Sequence, residues 1–513
     1  MRSFLLALCL VATPPAAAAP LHDAVAEGNL AEAEALLKAG ADVNAETYNQ
    51  FTALHLVKTP DMAELLLRYH PLLNETSISG RPLQNAAENW SRHGDDENEW
   101  ETIVDLLRKA GADYDIISAI YLHDVDRVKA IIDVNPEIAL SDFDSTTPLR
   151  IAAREGHADI CALLLKAGAN PNSVQAGYSI LRDAVKHPEV VRLLLAAGAD
   201  IHFRNTWIGG RSGVWLIGND ASALHFAAGE GTPASIAVLL DSGADPFART
   251  DSSFMDLTDQ TPLEIAAAYG RSENLEAILS HSKFTLGSQK ERQNSLDSSL
   301  LAVAPNGESC SRSIARLLKE GASSQATKDG ESAIQRIALN LWLPETSQDD
   351  TAHNTDLRKA IAMLAEQGAS VDVCSAVAIG DEKRLAELLK LNRASSNDRN
   401  LDGVPALQIA VRTGDEELMR LLIEAGCDVN IHSDDDFNWT PLHEAASSGQ
   451  IEVASLLIKS EADLNAVSDG RTPIDVAGTA EIAMLLFRAG GRPSGADKNI
   501  TESEGLSKFD VNP

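Results

Sequence analysis

The sequence predicts an all-α repeat fold, a solenoid of helix-turn-helix units with short β-hairpin fingers between them. Three observations predict it. A phrase built on Thr-Pro-Leu, then Ala-Ala, Gly and Leu-Leu recurs along the chain, at a spacing of about 33 residues where no insertion intervenes. Within each phrase the apolar residues fall at the three-and-four spacing of a half-buried helix. Aromatics make up only 4% of 513 residues while Ala and Leu are frequent, which suits thin, closely packed helices.

Each part of the phrase has a physical task, visible in Thr147 to Asn170. Thr147 is placed to cap the first orphan amides of a helix, and Pro148 fits the first turn, where it has no hydrogen bond to lose. Leu149, Ala152 and Ala153 let two short helices approach closely. Gly156 permits the turn into a second helix, where Ile160, Leu163 and Leu164 form one stripe. Gly168 ends that helix in a left-handed conformation, and the polar residues after it form an extended finger. The same order is found at Thr440-Pro441-Leu442-His443-Glu444-Ala445-Ala446, at Ala223-Leu224-His225-Phe226-Ala227-Ala228 and at Thr261-Pro262-Leu263.

These phrases resemble the ankyrin repeat over nearly all of residues 19–493, with about 14 repeats. The resemblance implies an elongated, curved helical stack that binds proteins on a concave side lined by fingers and first helices. Helices of about ten residues do not nucleate alone, so each unit must bury its faces on its neighbours. The histidines at 22, 55, 225 and 443 share one motif position. A hydrogen bond between helix and finger is expected of them, not metal binding.

The first 18 residues read as a signal peptide. Arg2 supplies a positive start, Phe4 to Val11 a short apolar run, and Ala16 to Ala19 small residues for cleavage between Ala18 and Ala19. The run is too short to span a bilayer, and no later stretch is longer. An exported protein, periplasmic or secreted, is expected, with no membrane insertion. The formal charge of -32 disfavours nucleic acid and anionic lipid and is compatible with a basic protein partner, or it serves only solubility. Cys161, Cys310, Cys374 and Cys427 are expected as free, mostly buried thiols, because they fall in separate repeats and show no metal-ligand spacing. No cofactor is expected, and a monomer is.

Departures from the repeat carry the remaining expectations. Insertions at 89–99 and 343–355 read as lengthened loops between paired helices. Each is followed by a finger-less junction, near 113–116 and 370–373, where Gly-Ala-Asp or Gly-Ala-Ser runs straight into the next helix. The two junctions lie about 257 residues apart, as in a duplicated block or in two independent variants of one repeat. Between them are two long fingers, 203–221 and 248–260. The first carries Trp207, Arg211 and Trp215 around Gly-rich residues, the second Phe254 and Met255. Trp and Arg are enriched in binding hot spots, so these side chains are candidate partner contacts, unless the two fingers pack on each other. Phe437 and Trp439, on an acidic finger, complete the candidate set. Residues 494–513 are polar and aperiodic and are expected to be disordered.

No motif for catalysis emerges. The residue where a zinc-protease helix needs its second histidine, after His443-Glu444, is Ser447, and no phosphate-cradling glycine loop exists. The expected function is a non-enzymatic protein-binding scaffold. One alternative is a secreted inhibitor or effector that blocks a basic enzyme site. A weaker one is a hydrolase within the inserted loops, which hold His93 and His353.

Overall fold

The computed structural model describes residues 19–93, 99–142, 146–206, 220–251, 259–303, 310–341, 348–435 and 437–495. The expected signal segment, the tips of both long fingers and most of the C-terminal tail lie outside these residues. The chain divides into two compact units, residues 1–262 with 280–284 and residues 263–279 with 285–513.

Paired short helices fill both units. In the first, Ala19–Ala26 pairs with Leu30–Lys38, the 3-10 turn Ala53–Leu56 with Pro60–Leu67, and Pro82–His93 with Glu99–Ala110. Then come Ile116–Tyr121 with Val125–Val134, Pro148–Glu155 with Ala158–Lys166, Ile180–Asp183 with Pro188–Ala196, and Ala223–Glu230 with Pro233–Asp241. In the second unit Gln289–Ala302 pairs with Cys310–Lys319, Ala333–Ala338 with Gln348–Glu366, and Val373–Ile379 with Glu382–Leu391. Ala406–Thr413 with Glu416–Ala425, Pro441–Ser447 with Ile451–Lys459, and finally Ala480–Ala489 complete the series. Among the described residues no helix is long and apolar enough to cross a membrane.

The local chemistry matches the phrase. The Thr147 hydroxyl accepts from the Arg150 amide, Pro148 opens the helix, and Gly156 ends it at φ +83°. Ile160, Cys161 and Leu164 are fully buried on the second helix, each apolar side chain contributing roughly 1.5–3 kcal/mol by leaving water. Two fingers are two-residue hairpins, Val174–Gln175 against Tyr178–Ser179 and Thr327–Lys328 against Glu331–Ser332. Both of their turn residues have positive φ, Ala176 with Gly177 and Asp329 with Gly330, as the twist of a tight hairpin requires. Gly177 serves a second purpose, because a Cβ there would run into the carbonyl of Thr206 on the next finger.

The insertions differ from expectation. Residues 89–93 do not form a loop but extend the helix Pro82–His93, and 348–355 form the start of the 19-residue helix Gln348–Glu366. Polar side chains accompany the extra turns: Asn89 Nδ2 donates to the Asn85 carbonyl at 2.8 Å, and the Thr355 hydroxyl to Thr351 at 2.7 Å.

A rail of asparagines stitches the fingers together. An Asn at the base of a finger accepts a backbone amide from the next repeat. Asn44 accepts from Leu72 at 2.7 Å, Asn74 from Asp113 at 2.8 Å and Asn172 from Asp200 at 2.7 Å. In the second unit Asn397 accepts from Asp428, Asn430 from Asp463 and Asn465 from Arg492, at 2.7, 2.6 and 2.9 Å. The rail lapses at the long fingers, where His202 and Phe247 stand in place of asparagine. Phe247 stacks instead on Phe284, with ring centroids 5.1 Å apart. Asn430→Ala should therefore cost about 1 kcal/mol, the net value of one hydrogen bond. Urea unfolding should show a lower midpoint with an unchanged slope.

Candidate functional site

The fourth residue of the phrase ties several of the helices to the finger beyond them. His55, His225 and His443 each accept at Nδ1 from the amide of their helix-capping residue, Thr52, Ser222 and Thr440, at 3.0, 3.1 and 3.4 Å. Nε2 therefore carries the proton and donates to a carbonyl of the next finger: Glu75, Ala248 and Arg471, at 3.0, 3.0 and 3.1 Å. His22 reaches the Phe51 carbonyl in the same way at 3.0 Å. The expected bond between helix and finger is thus present at all four histidines. Where arginine replaces histidine, Arg150 donates to the Tyr178 carbonyl at 2.9 Å and pairs with Asp183 at 2.6 Å.

At the finger-less junctions no finger carbonyl is available, and a different latch occurs. Gln84 accepts the Arg81 amide and donates to the Asp115 carboxylate at 2.6 Å, while Asp115 caps the helix Ile116–Tyr121. Gln335 does the same with Ser332 and Asp372, again at 2.6 Å, and Asp372 caps Val373–Ile379. The likeness continues through ten-residue helices capped by Asp124 and Asp381 and through the 3-10 turns Pro136–Leu140 and Arg393–Asn397. Sequence reasoning does not disclose this latch. Its signal is a Gln at the histidine position of the repeat that precedes a missing finger.

Each junction opens a notch. The first is a cavity of about 540 Å³ whose lining includes Ile78, Gln84, Glu88, Asp115, Tyr121 and Arg154. The second is only about 90 Å³ and is more apolar, with Leu339, Leu341, Cys374, Ala378 and Leu401 beside Gln335 and Arg412. In the first, Arg154 donates to the Tyr121 hydroxyl at 2.9 Å and lies 3.8 Å from the buried Glu88. Burial pushes the Tyr121 phenol up to about 12, with Glu88 and Glu155 adding to the rise against the pull of Arg154.

The fingers present apolar side chains to solvent. Tyr48, Ile78 and Val174 are exposed in the first unit, Leu401, Phe437 and Val467 in the second, each on a finger. Phe437 is 57% exposed and lies 5.3 Å from the Trp439 ring. Trp439 itself is half-buried along the start of the next helix, 6.3 Å from His443. The remaining candidate contacts, Trp207, Arg211, Trp215, Phe254 and Met255, lie outside the described residues. The stem of the first long finger is described and closes by a bridge between Asn205 and Ala221.

Among the described residues, several side chains suited to chemistry are engaged in the scaffold. His353, on the helix that the insertion lengthens, donates to the Asn340 carbonyl at 3.1 Å. The four cysteines among the described residues are free; Cys161, Cys310 and Cys374 are buried and Cys427 half-buried. Burial pushes the Cys161, Cys310 and Cys427 thiols up to about 12, so they are poor nucleophiles at neutral pH.

A family model described as ankyrin repeats (3 copies) matches residues 116–205, 373–468 and 432–501, and a single-repeat model matches 18–48. The first two matches begin at the helices that come after the two notches. The chain is 26% identical over 338 residues to the ankyrin repeat and KH domain-containing protein mask-1 of Caenorhabditis elegans, spanning 60% of this chain and 11% of that protein. It is 36% identical over 98 residues to protein phosphatase 1 regulatory subunit 27 of Mus musculus, spanning 19% of this chain and 62% of the relative. Each match thus covers less than two thirds of the relative's length. The human ASB11 ankyrin repeat domain aligns with 51% of this chain and 96% of its own, at 22% identity and a TM-score of 0.28.

The histidine links predict a pH dependence. Burial lowers His55 to about 4 and His225 to about 3, and it lowers His443 as well. Each is neutral when folded, whereas the unfolded chain takes up a proton below about pH 6.5. Their contribution is complete above that pH and falls as the pH drops, levelling only near the folded values. His55 and His225 should each cost about 2 kcal/mol of stability between pH 7 and pH 5. Gln already serves at this position in the chain, so His225→Gln should remove one proton from the slope, as read by urea midpoints across that range. An unchanged slope would contradict the assignment.

Proposed function

The chain carries ankyrin repeats, and from that premise we propose that it is a non-enzymatic scaffold, exported from its cell, that holds a protein partner along its fingers and first helices. The observation that carries the reading is the set of exposed apolar fingertips, Tyr48, Ile78, Val174, Leu401, Phe437 and Val467, four of them on fingers tied down by a histidine or arginine link. Exposed apolar side chains on a pre-ordered backbone bind without a large ordering cost. The long fingers would extend the same surface, with Trp207, Trp215 and Phe254 as the preferred dock. Export is supported by Arg2, the apolar run from Phe4 to Val11 and the small residues up to Ala18.

A second reading is inhibition or regulation of an enzyme with a basic site. It is favoured by the charge of -32 and by a relative named as a phosphatase regulatory subunit. Salt separates the two readings, because attraction between exposed charges is screened beyond about 10 Å at 0.1 M salt whereas apolar docking is not.

Protein recovered from its own host should begin at Ala19 by N-terminal sequencing. A partner captured by that protein should bind at least tenfold more weakly after deletion of residues 206–217. Unchanged affinity would remove the long-finger dock, and affinity that collapses with salt would favour the enzyme-directed reading.

A further inference from the structure

We infer that the turn histidines His123 and His157 form an acid-opened joint between two neighbouring repeats, closed while the pair carries at most one proton. This goes beyond the protein-binding reading and does not depend on it.

Three successive helix pairs carry a histidine at the turn between their helices: His123, His157 and His187. The His123 and His157 rings lie face to face, with centroids 4.0 Å apart and planes 8° from parallel. His123 reaches forward to the next repeat, where its Nε2 donates to the Asp159 carboxylate at 2.9 Å. His187 reaches back, and its Nε2 donates to the Arg154 carbonyl at 3.1 Å. Its ring lies so close to Gly156 that a Cβ there would be 2.4 Å from Nδ1. His157 stands between the two and differs from both. Its Nε2 is buried and has no hydrogen-bond partner among the described residues.

The geometry accommodates one charge in the stack and not two. A proton on His123 meets the Asp159 carboxylate, and the charged ring still faces a neutral one. A second proton, on Nε2 of His157, would create a buried N–H with no acceptor and a like charge 4.0 Å from the first. The other charged groups facing His157 are Glu155, Asp159 and His187. Glu155 is engaged by Arg154 and Ser91, Asp159 by His123 and the Ile160 amide, and His187 by the Arg154 carbonyl. Burial, and after it the neighbouring His123, holds His157 below the usual histidine range. Once the rings part, His157 regains water and its ordinary proton affinity, near 6.5. The open joint then takes up the proton that the closed joint refuses. Closure is therefore complete above about pH 6.5 and is lost progressively as the pH falls. Tyr121 and Arg154, hydrogen-bonded at 2.9 Å, span the same two repeats and line the first notch, which would widen as the joint opens.

The test uses the full chain, labelled with carbon-13 at histidine Cε1, and its His157→Asn and His123→Asn variants. Asparagine already serves at this turn in the first repeat, where Asn29 follows Gly28 and caps Leu30–Lys38, so His157→Asn keeps a helix cap. NMR titration should show His157 taking up its proton below the ordinary histidine range, and at a higher pH in His123→Asn than in the parent chain. Between pH 7 and pH 5, amide protection over Ala158–Lys166, corrected for intrinsic exchange, should fall about tenfold more in the parent than in His157→Asn. Protection over Leu30–Lys38 should fall equally in both, which separates the joint from the general effect of acid. If His157→Asn does not fold, the His157 titration and its rise in His123→Asn decide. Equal loss over Ala158–Lys166 in parent and variant, or a His157 titration at the ordinary value that His123→Asn leaves unmoved, overturns the joint. No partner takes part in these measurements, so the protein-binding reading stands or falls separately.

Discussion

A proton held on Nε2 of a buried histidine joins the cap of one helix to the carbonyl of the finger beyond it. The ring is shut from water, so both of its nitrogens must find partners within the chain. One partner is the capping amide, which fixes where the helix starts. The other lies 20 to 28 residues away in sequence, at Glu75, Ala248 or Arg471, which fixes where the next finger lies. Helices too short to stand alone thus acquire both their ends and their neighbours from one side chain. Arg150 and the Gln84 and Gln335 latches meet the same demand with different donors. Where a finger is missing, the latch still pairs the cap of the next helix, Asp115 or Asp372.

That constraint also shapes what the molecule offers to others. Histidines, caps and the rail asparagines are committed to holding repeats together, and the described thiols are buried or half-buried. What remains available is the outer edge of the fingers and the notches between them. The backbone there is already ordered, so a partner need not provide the entropy of fixing it. The two notches share one backbone device but differ in lining, ionic at Glu88 and Arg154, aliphatic at Leu339 and Leu341.

Much of the fold was legible because its signals are local. Thr-x-x-His fixes cap and link together, Gly156 and Gly168 mark helix ends, and the Gly-Ala-Asp and Gly-Ala-Ser runs at 111–113 and 368–370 announce helices that start without a finger. The latches were not legible. A glutamine in a helix carries no signal of its own, and its bond to Asp115 spans 31 residues. The rail was hidden for the same reason, since Asn44 or Asn430 reads as an ordinary turn residue until the next repeat is laid beside it. Polar composition concealed the helical turns at 89–93 and 348–355, where apolar periodicity fades while side chains bond back to the preceding turn. Of the candidate contacts, Phe437 and Trp439 look equivalent in sequence. Only the packing separates them: Trp439 directly precedes the capping Thr440 and is drawn along the helix start, while Phe437 stays in solvent.

Buried links that hold the repeats rigid leave binding to the fingers, and amide exchange mapped along the whole chain, with and without a captured partner, tests this most directly. Protection gained on binding should concentrate on the fingers around Tyr48, Ile78, Leu401, Phe437 and Val467. The amides of Thr52, Ser222 and Thr440 should be equally protected in both states. Protection confined to the second helices, or linked amides that become ordered only on binding, would contradict a pre-ordered binding row.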